Sequence, residues 1–88
     1  MAVNLNLYKY FITVMEERSI TKAAIKMGVS QPTVTYNIKE LEKDLNEQLF
    51  VVGRHGICPV RRAVVLYQNI KPAYLLLIQI IEDFIQQR

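Results

Sequence analysis

Eighty-eight residues suit one small domain, or a small domain carrying one long helix. A hydrophobic content of 51% supplies a core and leaves apolar surface that needs a partner, while a net charge of +3 is weak evidence for nucleic acid. The single cysteine, Cys58, excludes an intramolecular disulfide framework, and the amino terminus lacks the pattern of a signal peptide.

The first helical pattern runs from about Asn4 to Glu17, with Leu7, Phe11, Val14 and Met15 at helical spacing. Ser19 is the expected N-cap of a second helix ending near Met27, in which Ala23 and Ala24 allow close approach of a neighbour. Gly28 follows, where a left-handed C-cap favours glycine. Ser30 caps a third helix with Pro32 in its first turn, where a missing N–H costs little. Val34, Ile38, Leu41 and Leu45 form its expected inner stripe.

Two short apolar pieces follow, Leu49–Val52 and Ile57–Val60, around the sequence GRHG, which suits a hairpin with a four-residue loop. Pro59 marks the second piece as an edge or very short strand. From Arg61 onward the pattern is helical to the end, interrupted by Pro72, which removes the hydrogen bond to Gln68 and is expected to kink or break the helix. The fold class expected is mainly α: three helices, a small hairpin over residues 1–60, and a long final helix over 61–88. The most apolar run, Ala73 to Ile81, is about half the roughly 20 residues of a membrane span, so a soluble cytoplasmic chain without membrane contact is expected.

Helix, three-residue turn, helix is the layout of a helix-turn-helix, whose second helix enters the major groove. With Val34, Ile38 and Leu41 facing inward, the outer face near the amino end of the third helix carries Gln31, Thr33, Thr35, Tyr36 and Lys39. Glutamine pairs in bidentate fashion with adenine, threonine offers a hydroxyl and a methyl, and Tyr36 and Lys39 have the length to reach sugar and phosphate. The helix amino terminus, with Ser30, Gln31 and Pro32, favours a nearby phosphate. The hairpin would act as a wing that sets Arg54 and His55 against backbone or minor groove. From Gln48 to Ile81 there is no acidic residue, while Arg54, Arg61, Arg62 and Lys71 fall inside that span, which predicts a local basic surface.

The stretch SITKAAIKMGVSQPTVTYNIKELEKDLNEQLF resembles the amino-terminal domain of the LysR-type transcriptional regulators. The residues that carry the resemblance are Ser19, Thr21, Ala23, Ala24, Val29, Ser30, Gln31, Pro32, Leu41, Glu42, Leu45, Leu49 and Phe50. It implies a winged helix-turn-helix that dimerises through the long helix after the wing, and Ser19 and Thr21 join the expected DNA-contacting set. The sequence departs from the family pattern at Val52, where most members carry arginine, and at Pro59 to Ala63, where the long helix begins; Arg54, Arg61 and Arg62 are the cations available to substitute. The family's effector-binding domain does not follow within these residues, so no small-molecule ligand is expected here.

His55 and Cys58 alone cannot close a zinc site, and Cys58 is expected to be a small buried hydrophobe. No cofactor or metal is expected. The single histidine has no nucleophile or carboxylate motif beside it, which argues against an enzyme. The apolar positions Leu66, Ile70, Tyr74, Leu77, Ile78, Ile81 and Ile85 read as a dimer seam. The function expected is sequence-specific binding of double-stranded DNA at an inverted repeat by a homodimer, with RNA polymerase a possible further partner. The alternative is a free-standing interaction protein that pairs through its long helix with a full-length regulator.

Overall fold

A computed structural model describes residues 3–87. Helix α1 (Leu5–Glu17), α2 (Ile20–Met27) and α3 (Gln31–Leu45) precede a two-stranded antiparallel hairpin, β1 (Phe50–Gly53) and β2 (Gly56–Pro59), and a final helix α4 (Arg61–Gln86). Each of the first three helices starts on a short polar side chain that takes an amide left over by the first turn. Asn4 accepts from the Asn6 amide at 3.0 Å, Ser19 from that of Lys22 at 3.1 Å, and Ser30 from that of Thr33 at 3.2 Å. Gly28 ends α2 in the left-handed conformation, with φ of 69°.

The three helices enclose one core. Phe11, Val14, Ala23 and Val34 are wholly shielded from solvent, and Leu41 and Leu49 nearly so. Phe11 packs its ring on Phe50 with centroids 5.9 Å apart and planes at 55°, which ties the root of the hairpin to α1. Leu45, expected on the inner stripe of α3, is instead exposed. It lies in the last turn before the left-handed Asn46 cap, at the rim of an open cleft shared with Arg62 and Leu66 of α4, not in the core between α1 and α2.

The hairpin is one residue out of step with expectation, and its loop is shorter. Phe50 pairs with Pro59, Val51 with Cys58, Val52 with Ile57 and Gly53 with Gly56, so only Arg54 and His55 form the turn. The glycines expected to bracket a four-residue loop are its last paired residues, and Gly56 takes φ of 109°, a conformation that L side chains resist. Cys58 is exposed, contrary to expectation. On β2 the inward positions are Ile57 and Pro59; Cys58 points with Val51 to the outer face, because directly opposed residues share a side of the ribbon.

Helix α4 runs unbroken through Pro72. The proline still forfeits the bond to Gln68, but both flanks are held: Ile70 and Tyr74 pack against the core, and Lys71 is ion-paired to Glu16. Ala63, in the first turn, is its one wholly buried residue among those described. Overall dimensions of 50 × 28 × 21 Å reflect the distal half of α4 reaching past the three-helix body. The helix is also long and apolar enough to cross a membrane, with an 18-residue window of mean hydropathy 1.4. The run from Ala73 to Ile81 understates this because Val64, Val65, Leu66 and Ile70 extend the apolar length.

Glu16, at the end of α1, accepts the Tyr67 hydroxyl at 2.6 Å and the Lys71 ammonium. The bond from Lys71, then that from Tyr67, hold its carboxyl below the ordinary 4.5. A lowered folded-state pKa contributes stability that is complete above the ordinary value and fades as pH falls through the folded one. Glu16→Gln is therefore expected to lower the neutral plateau of a melting-temperature profile, modestly for so exposed a group, and to flatten its acid side below pH 4.5, where the two proteins converge. An unchanged acid limb contradicts this.

Candidate nucleic-acid interface

The exposed amino-terminal half of α3 and the wing stand side by side. Gln31, Pro32 and Thr35 are exposed, Thr33 is half-buried, and Tyr36 keeps 64% of its surface open to solvent. A groove between α3 and the wing is lined by Thr35 and Lys39 on one side and Val51, Val52 and Ile57 on the other, with Ile20 at its end. A second groove shares Ile20, Val52 and Ile57 and brings Ser19 and Thr21 opposite His55. The first turn of α2, α3 and the wing thus share a continuous pair of grooves that brings together Ser19, Thr21, Thr35, Lys39 and His55, whereas Tyr36 lines a separate cleft toward Asn4 and Leu7 at the start of α1. Arg54 projects from the turn beside His55.

Several of these groups are already engaged within the chain. Ser19 and Ser30 spend their hydroxyls as helix caps, and Ser30 shares a further 2.9 Å hydrogen bond with the Thr33 hydroxyl. Tyr36 donates its hydroxyl to Glu40 at 2.9 Å, which raises the phenol's pKa. Lys39 lies 3.6 Å from Glu42, but its side chain is 71% exposed. An exposed pair of this kind is worth little and exchanges readily for a phosphate. Gln31, Thr35, Arg54 and His55 make no side-chain hydrogen bond among the described residues.

The basic surface is smaller than the acid-free span suggests. Arg62 pairs with Glu47 at 2.7 Å and Lys71 with Glu16, both acids lying outside the span. Arg54 and Arg61 have no carboxylate within ion-pair distance among the described residues.

Glu42 was not legible as a site residue. Its carboxylate accepts the Leu49 amide at 2.7 Å and the Phe50 amide at 3.3 Å, so the far end of α3 holds the first residues of the wing. The pair Leu41-Glu42 belongs to the stretch that carries the family resemblance, which was the available signal.

A family model described as bacterial regulatory helix-turn-helix protein, lysR family, matches residues 5–61. The chain belongs to the LysR family. Among its LysR relatives, the transcriptional regulator LeuO of Escherichia coli (strain K12) is 41% identical over 71 residues, covering 81% of this chain and 23% of LeuO. The DNA-binding domain of BenM, a regulator of Acinetobacter baylyi, solved with benA site 1 DNA, superposes with a TM-score of 0.88 at 28% identity, covering 98% of this chain and all of that one. Full-length BenM gives a TM-score of 0.81 at 30% identity, covering 91% of this chain and 26% of BenM. The chain spans about a quarter of the length of the curated relatives it matches. The likeness to BenM takes in α4, which the family model leaves out, so the whole architecture is that of a LysR winged helix-turn-helix domain with its long helix.

The apolar positions of α4 divide at about Tyr74. Leu66, Ile70 and Tyr74 pack half-buried against the domain's own core. Leu77, Ile81 and Ile85 are exposed and Ile78 is half-buried, and the exposed set also includes Leu75, Leu76, Ile80 and Phe84.

Proposed function

We propose that this domain binds an inverted-repeat DNA site as a homodimer in the bacterial cytoplasm and regulates transcription there. The observation that carries the reading is the exposed amino-terminal face of α3 beside the wing groove, with Gln31 and Thr35 unengaged and Lys39 loosely held. BenM, solved as its DNA complex, has the same architecture and supports this docking pose. In that pose α3 reads the major groove with Gln31, Thr33 and Thr35 toward base edges, Ser19, Thr21, Ser30, Pro32, Tyr36 and Lys39 lie along sugar and phosphate, and Arg54 and His55 lie against backbone or minor groove. The homodimer is supported by the unpartnered apolar face of the distal half of α4. That face also fits the long helix of a full-length regulator, and hetero-pairing is the alternative outcome of a mixing experiment. RNA polymerase contact is left to the whole regulator.

The test is a fluorescence-anisotropy titration against a selected site and against random DNA. Gln31→Ala should cost about 1–3 kcal/mol on the preferred site and relax preference at one base pair. Arg54→Ala in the same titration should weaken both DNAs alike and lower the salt slope by about one. Equal losses from Gln31→Ala on both DNAs would overturn its role as a base reader.

A further inference from the structure

Apolar packing holds the first half of α4 on the domain, through Ala63 and the half-buried Val64, Tyr67, Ile70 and Tyr74. Such contacts are non-directional and leave a helix free to roll. The directional hold is polar. One oxygen of Glu16 receives both the Tyr67 hydroxyl and the Lys71 ammonium, donors one helical turn apart on α4. Glu17 beside it pairs with Lys26 at 3.4 Å and ties the same end of α1 to α2. The next residue of α4 is Pro72, where the helix's own ladder loses a bond.

We propose that Glu16 is a specificity-determining positioning residue, whose grip on Tyr67 and Lys71 fixes the angle at which the distal half of α4 leaves the domain and hence the half-site spacing that the dimer accepts. This rests on the homodimer reading above. The lever is long: at 1.5 Å per residue, the helix from Lys71 to Ile85 spans about 21 Å, so a rotation of about 10° at the clamp moves its end by about 4 Å, roughly one base-pair step. Two symmetric copies double the effect on the separation of the reading helices.

The experiment measures binding of the whole chain to one half-site and to inverted repeats whose spacers differ by single base pairs. The wild type is expected to favour its best spacer over the neighbours by about tenfold, and Glu16→Ala to reduce that preference to about twofold, with single half-site affinity unchanged. The exchanged pair, Glu16→Lys with Lys71→Glu, restores the preference, which a loss of folding would not allow. An undiminished preference in Glu16→Ala, an equal loss on the single half-site, or no rescue by the exchanged pair overturns the proposal. A second readout is independent of DNA. Spin labels at the exposed Lys9 and Glu82, in a Cys58→Ser background diluted with unlabelled chain, report the angle within one protomer. The distance distribution should broaden in Glu16→Ala and narrow again in the exchanged pair; an unchanged width overturns the clamp. A wild type that prefers no inverted repeat overturns the homodimer reading instead, and the clamp is then decided by the distance distribution.

Discussion

Ile80→Glu is expected to shift the chain from the proposed dimer to monomer in sedimentation equilibrium at micromolar concentration and to weaken binding to an inverted repeat far more than to a single half-site. Ile80 is 57% exposed, Leu76 61% and Phe84 70%, all on the part of α4 that the domain cannot reach. Leaving side chains of this size in water forfeits about 1.5–3 kcal/mol each relative to burial. In the proposed homodimer a second α4, packed antiparallel, would cover them. Because a two-fold seam repeats every substitution, each glutamate enters twice, facing apolar neighbours that offer its carboxylate no hydrogen bond. A combined cost of about 3–6 kcal/mol corresponds to a factor of about a hundred to ten thousand in the dimer constant. Leu76→Glu should act alike. A wild-type chain that stays monomeric and still binds the inverted repeat tightly would remove the seam.

Phe11→Ala is expected to cost about 3–5 kcal/mol of folding stability, read as a shift of the urea midpoint at constant slope. Small domains hold only about 5–15 kcal/mol in total, so much of the margin goes with this one ring. Phe11 has no solvent exposure, and its ring rests on Phe50 at the root of the wing. The cavity therefore opens between α1 and β1, where Leu49 and Phe50 are held by the Glu42 carboxylate and little collapse is possible. DNA binding should fall with the folded fraction and recover at low temperature. A cost below about 1 kcal/mol would mean that the site relaxes freely.

The helices and their caps were legible because their signals are local. Ser19, Ser30 and Gly28 act within a few residues of where they stand, and Ala23, Ala24 and Val34 announce their burial by spacing alone. What escaped is what depends on distant partners. Glu16 and Lys71 meet across 55 positions with no pattern linking them, and Glu47 reaches Arg62 in the same way, which is why the acid-free span overstated the basic surface. Cys58 was misjudged because a two-stranded ribbon has one covered face, and the single turn residue pair that decides which face β2 presents cannot be read from composition. The interface residues came largely from the motif; their engagement, such as Tyr36 with Glu40, came from the folded helix.

Asn4, Ser19, Ser30 and Glu42 between them satisfy leading amides of α1, α2 and α3 and the entry to β1 from side chains already in place. The starts of these helices and the entry to the wing are therefore fixed before the domain meets its target, so association has little helix backbone left to order. In the proposed pose the entropy surrendered on contact would come mainly from a few exposed side chains, the unengaged Gln31 and Arg54 and the loosely paired Lys39, at about 0.5–1.5 kcal/mol for each one immobilised. A mismatched site that leaves those side chains loose spares that cost, so part of the discrimination between right and wrong sequence is offset by retained side-chain freedom. The affinity gap between target and random DNA should consequently widen on cooling, as that freedom loses weight.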